Sequence, residues 1–163
     1  SIHYLHRDIK PENFLIGNEE YTNIIYLIDF GAAKRFKDNK TNQHIPYKEK
    51  RNFVGTYRYA SVNAHLGLEL SRRDDLISIG YVLIFMLKGM LPWQGIKDKD
   101  KISKLVQKKI QIPNDVLCSG LPNEFLHYMN YCKNLKFEER PDYEFLKGLF
   151  VKLLGIEDRK SVV

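Results

Sequence analysis

Two short runs hold the residues of this chain that can do chemistry together. One is His6-Arg7-Asp8-Ile9-Lys10-Pro11-Glu12-Asn13; the other, sixteen positions after Asn13, is Asp29-Phe30-Gly31. Asp8 is suited to orient a substrate hydroxyl and accept its proton, a contribution worth roughly 10²–10⁴-fold in rate. Asn13 and Asp29 offer hard oxygen ligands of the kind Mg²⁺ takes while keeping most of its shell for phosphate and water. Lys10, two residues from Asp8, can meet a transferring phosphate as a point charge. A base, a cation and two magnesium ligands are what phosphoryl transfer asks of a protein, because its catalysis is mostly positioning and charge neutralisation. A lone Asp-Phe-Gly reads equally well as a turn; the two runs together are specific.

The segments between and after these runs must hold them. Phe14-Leu15-Ile16 and Ile24 to Ile28 are short apolar stretches separated by the turn-prone Gly17-Asn18-Glu19-Glu20, the pattern of a small β-hairpin. Its strands would return the chain so that Asn13 and Asp29 lie at the same end. From Ala32 to about Asn63 the chain is polar, basic and irregular, which predicts a long functional loop. After Ser71, Leu76, Ile77, Ile79 and Tyr81 to Leu87 cover every face of a helix too short to span a membrane, so a central buried helix is expected, ended by Gly89 and Pro92. Three amphipathic helices follow, with stripes at Ile102, Leu105, Val106 and Lys109, at Phe125, Tyr128, Met129 and Cys132, and at Leu146, Leu149, Phe150 and Leu153. These stripes are read as core, without ligand roles. The expected fold class is α+β, mainly α: a helical bundle over 71–155 with one small β element at its active edge.

The 163 residues suit one domain, taken here as 1–163, and 44% hydrophobic with 28% charged residues is a globular composition. No apolar run reaches the length of a membrane span, and the start lacks a signal-peptide pattern. Cys118 and Cys132 lack metal-ligand partners at metal-site spacing and read as reduced thiols of a cytoplasmic or nuclear protein. The net charge is +6, and residues 34–51 carry seven basic side chains (Lys34, Arg35, Lys37, Lys40, Lys48, Lys50, Arg51) against Asp38 and Glu49. That segment is either a solubilising loop or a surface for an acidic or phosphorylated partner. No nucleic-acid module or stacking platform accompanies it, so direct nucleic-acid binding is not expected.

Residues 6–31 resemble eukaryotic protein kinases, with Lys10 typical of the serine/threonine branch. The later residues are similar to the casein kinase I family: His44-Ile45-Pro46-Tyr47, Gly55-Thr56-Tyr57-Arg58-Tyr59-Ala60-Ser61, Ser61-Val62-Asn63 where most kinases have Ala-Pro-Glu, Ser71 to Leu76, and Leu91-Pro92-Trp93-Gln94-Gly95. The resemblance covers roughly 2–154. It implies a catalytic loop at 6–13, an activation segment at 29–63, ATP and Mg²⁺ as cofactors, and acidic or already phosphorylated protein substrates. It assigns Asn13 and Asp29 to the metal, Thr56 to hydrogen bonds with Asp8 and Lys10, and Asp75 to the backbone N–H groups of the catalytic loop. Arg140 is expected in a structural pair beside the activation segment, where Asn63 replaces the usual Glu. Arg58 is expected to bind the substrate's anion with a lysine beyond Gly95, for which Lys97, Lys99 and Lys101 are candidates. No Gly-rich loop or strand lysine precedes residue 6 in this sequence. The chain is therefore expected to be a kinase C-terminal lobe, inactive by itself, or else a non-catalytic docking subunit of a larger assembly. Association with a cytoskeletal structure and the oligomeric state are left open.

Overall fold

The computed structural model describes residues 3–97 and 100–155; Lys99, one of the candidate anion-binding lysines, lies outside them. Strands β2 (Phe14–Ile16) and β3 (Ile25–Leu27) pair antiparallel in the register Phe14↔Leu27, Leu15↔Tyr26 and Ile16↔Ile25. The turn between them is closed by Gly17 N–H donating to Ile24 O (3.0 Å) and by one 3₁₀ turn at Glu19–Tyr21. A second sheet was not expected. Strands β1 (Tyr4–Leu5) and β4 (Lys34–Arg35), each two residues long, bracket the catalytic loop and the Asp-Phe-Gly run in an antiparallel pair. Pairs this short carry no periodicity to read.

Among the described residues six helices follow: α1 (Val62–His65), α2 (Arg72–Lys88), α3 (Lys101–Gln111), α4 (Asn114–Leu117), α5 (Asn123–Asn134) and α6 (Tyr143–Leu153). The four long ones are those the periodicity predicts; α1 and α4 are single turns. At the start of α2, Asp74 accepts the Ser71 N–H at 2.8 Å. At its end Gly89 adopts φ 75°, a left-handed conformation that suits glycine, and its N–H returns to Phe85 O at 2.8 Å.

The main core is built on the packing of α2 against α5, with α6 packed on α5: Ile77, Tyr81 and Ile84 share one buried cluster with Phe125, Tyr128, Met129, Cys132 and Leu146. Each such fully buried side chain contributes about 1.5–3 kcal/mol from water exclusion. Gly80 lets the two helices approach, since a methyl there would meet Met129 Sδ and lie 3.0 Å from Tyr128 Cε1. A smaller cluster of Leu5, Phe36, Ala60, Ala64 and Leu70 lies under the activation segment.

Helix α2 is not buried on every side, as its composition had suggested. Met86, Leu87 and the following Met90 are 56–65% exposed, because the last turn of α2 emerges beyond the helices that cover its middle. Ile102 on α3 and Leu153 on α6 are likewise exposed members of their stripes.

Candidate active site

Long-range contacts assemble the catalytic loop. Asp75, near the start of α2, accepts the N–H of His6 at 2.7 Å and of Arg7 at 2.9 Å, one on each carboxylate oxygen. Desolvation raises the Asp75 pKa, and the two N–H donors oppose that rise. His6 Nε2 lies 2.9 Å from Ile28 O, and its Nδ1 receives Asp8 N–H at 3.3 Å. A carbonyl can only accept and an amide N–H can only donate, so the ring is held as the Nε2-protonated neutral tautomer. Arg7 Nε donates to Ala32 O at 2.7 Å, which fastens the loop to the chain just past Gly31. Arg7 itself sits at φ 67°, and a side chain at Gly55 (φ 105°) would come 2.7 Å from the Arg7 carbonyl. Backbone strain of this kind persists only where surrounding contacts over-determine it, and it concentrates at functional sites.

Asp8 has both oxygens engaged. Thr56 Oγ1 donates to Oδ1 at 2.7 Å, and Lys10 Nζ lies 2.9 Å from Oδ2. The sequence expectation had Thr56 bonding both Asp8 and Lys10. Instead the carboxylate is the hub, because each of its oxygens takes one donor. The hydrogen bond to Asp8 raises the Lys10 pKa, with Asp29 and Glu12 adding attraction at longer range. The ammonium therefore stays charged beside these three carboxylates.

Asn13 is 3% exposed and donates its side-chain N–H to the Asp8 carbonyl at 2.9 Å, leaving its amide oxygen as the atom available to a cation. Its own backbone carbonyl accepts the Ile28 N–H at 3.0 Å, which extends the β2–β3 register by one pair and sets Asp29 beside Asn13. Asp29 takes φ 63°, ψ 72°, a left-handed conformation that Asp tolerates better than most residues, and accepts Gly31 N–H at 3.3 Å. An amide oxygen and a carboxylate at one rim fit a magnesium ion that takes only one or two protein ligands and completes its shell with phosphate and water. Among the described residues no cluster of three or more His, Cys, Asp or Glu side chains could hold a metal unaided.

Beside this centre opens a cleft of about 510 Å³, lined by Thr56, Arg58, Trp93, Gln94, Lys101 and Leu105 among others. Arg58 lies over the rings of Tyr59 and Phe85, with its guanidinium carbon 5.7 and 5.5 Å from their centroids. Lys101 of α3 shares the cleft with it. Lys97 does not line the cleft.

Two expectations are corrected here. Arg140 is exposed and makes no ion pair among the described residues; the end of the activation segment is held by Asp74 instead, which accepts Ser61 Oγ at 2.7 Å and Asn63 Nδ2 at 2.8 Å. The basic segment is not a uniform free surface either. Lys34 and the exposed Arg51 both pair with Glu69, which is itself 3% exposed, so two of its seven charges are engaged by a buried carboxylate. Composition signalled neither acceptor, since both are reached only through tertiary contacts.

The domain is mostly helical α+β, and it sets Asp8, braced by Thr56 and Lys10, near the hairpin end that carries Asn13 and Asp29. The model of the protein kinase domain matches residues 1–148, and the chain belongs to that family. Protein kinases use ATP and Mg²⁺. Among the described residues no helix is long and apolar enough to cross a membrane.

Proposed function

We propose that this chain is the large lobe of a serine/threonine protein kinase of the casein kinase I type, acting on acidic or already phosphorylated protein substrates. The observation that carries the reading is the engagement of Asp8: one oxygen held by Thr56, the other by Lys10, and its backbone carbonyl tied to Asn13. Asp8 orients the substrate hydroxyl and accepts its proton as that oxygen attacks the γ-phosphorus. The bond from the γ-phosphorus to the bridging oxygen breaks, and ADP leaves. Lys10 faces the transferring phosphoryl group with positive charge. Asn13 and Asp29 are the residues that would hold Mg²⁺, which neutralises phosphate charge when bound. Thr56 braces Asp8 against the substrate platform.

The exposed apolar side chains of the hairpin, Leu15, Ile16 and Ile25, support a large-lobe assignment in which this surface is one wall of the ATP cleft and a small lobe supplies the other. The substrate preference rests on Arg58, whose fork suits a phosphate, and on Lys101, the candidate lysine that lines the same cleft.

The test uses the intact protein, ATP, and one peptide with and without a phosphoserine upstream of its target serine. Arg58→Ala is expected to lower kcat/KM for the phosphorylated peptide far more than for the plain one. Equal losses on both would refute the anion assignment, and no transfer at all by the intact protein would leave the lobe a docking module.

A further inference from the structure

Lys109 lies on the inner face of α3 and is 2% exposed. Burying an ammonium is costly unless it is paired, yet among the described residues no carboxylate forms a salt bridge with it. Its partners are neutral: Nζ donates to Tyr57 O at 2.8 Å and Ala60 O at 2.6 Å and lies 3.1 Å from His65 Nε2. The rings of Tyr81 and Trp93 face it at 5.3 and 5.2 Å. A stripe position that only filled the core would be served by leucine. The two carbonyls it holds bracket Arg58 and Tyr59, and the Arg58 carbonyl itself accepts Trp93 Nε1–H at 2.8 Å. The backbone that presents Arg58 to the cleft is thus fixed from behind by one cluster. Tyr57, Trp93 and Leu105 line the cleft, and Lys109 stands behind that wall.

We propose that Lys109 is the positioning residue for Arg58 and a second, buried source of positive charge for the anion that Arg58 reads. This rests on the anion-site reading given above. The ligand class is a dianionic side chain, that of a phosphorylated residue in the substrate.

The cluster has one group that changes charge in the working range. Burial, helped by the nearby charge of Lys133 on α5, brings the Lys109 pKa down to about 7. His65 of α1 is lowered to about 4 by burial and by Lys109, so it stays neutral and accepts the ammonium's hydrogen bond. The Tyr81 phenol of α2 is raised by burial and stays protonated. Lys133 has its own pKa lowered by burial, and Arg58 and Lys101 add positive charge on the cleft side. The sign follows directly: protonated Lys109 favours the bound dianion, so recognition weakens as pH rises through about 7. By reciprocity, the bound dianion raises the proton affinity of Lys109. Screened by solvent and salt, one buried unit charge behind the cleft wall is worth on the order of tenfold in affinity for a dianion. With a pKa of about 7, that coupling lowers the preference for phosphorylated over plain peptide by about fivefold between pH 7 and 9.

The experiment measures kcat/KM of the intact protein for both peptides from pH 7 to 9 at constant ionic strength. The phosphoserine is dianionic across this window, and effects on ATP or on Asp8 cancel in the ratio. In the wild type the ratio should fall about fivefold, with the change in KM. Lys109→Arg should hold it high and flat, and Lys109→Met low and flat. A constant wild-type ratio, or variants that keep the wild-type slope, overturns the proposal. If Lys109→Met does not fold by circular dichroism, the wild-type slope and Lys109→Arg decide. A wild type with no preference at any pH sinks the Arg58 reading and this inference together. A preference abolished by Arg58→Ala but independent of pH sinks this inference alone.

Discussion

Replacing Asp74 with alanine removes the acceptor of three donors at once: Ser61 Oγ, Asn63 Nδ2 and Ser71 N–H. Ser61 and Ser71 are 2% and 1% exposed, so water cannot readily take over, whereas Asn63 is half-buried and can be rehydrated. An unsatisfied buried donor costs about 1–3 kcal/mol, and the rehydrated one close to nothing. Release of the carboxylate's own desolvation gives back about 1 kcal/mol. The net expectation is a destabilisation of about 3 kcal/mol. Urea unfolding of the intact protein, followed by circular dichroism, reads this as a midpoint lowered by about 1.5 M at a slope of about 2 kcal/mol/M. Arg140→Ala is the control: an exposed side chain without an ion pair should shift stability by less than about 0.5 kcal/mol. A midpoint change below about 0.4 M for Asp74→Ala, or a larger change for Arg140→Ala, would show that the activation segment is not anchored through Asp74.

Thr56→Val removes the hydroxyl that braces Asp8 at 2.7 Å. A hydrogen bond to a charged group is worth about 1.5–3 kcal/mol, so kcat should fall by about 10- to 100-fold, with Thr56→Ser retaining most of it; a valine variant above half the wild-type kcat rules the brace out. Gly80→Ala gains about 1 kcal/mol of helix propensity but drives a methyl against Met129 and Tyr128, whose hydroxyl is tied to Leu76 O at 2.9 Å. Overpacking of about 1–3 kcal/mol outweighs that gain, so the melting temperature should drop, and an increase would contradict the close α2–α5 approach.

Local chemistry was legible in the sequence wherever the signal was local. The turn residues at 17–20 mark the hairpin, and its register brings Asn13 to Asp29 as the spacing implied. The stripe of α5 is buried at all four positions. What escaped the sequence depends on partners far along the chain. Nothing near Glu69 shows that Lys34 and Arg51 converge on it, and nothing near Asp74 shows that it replaces an ion pair of Arg140. Met86 and Leu87 look like core because periodicity records which faces are apolar, not which of them have a neighbour. Lys109 was placed correctly on the buried stripe of α3. Its role could not be read there, because the carbonyls it holds belong to residues 57 and 60.

The proposed role of Asn13 and Asp29, brought together by the hairpin, is to serve phosphoryl transfer through Asp8. Its most direct test is transfer of labelled γ-phosphate from ATP to casein by the intact protein in Mg²⁺, comparing wild type with Asp29→Asn. The wild type should place label on serine and threonine, and the variant should give background counts at unchanged thermal stability. Label incorporated at the wild-type rate by Asp29→Asn, or none by the folded wild type, would contradict it.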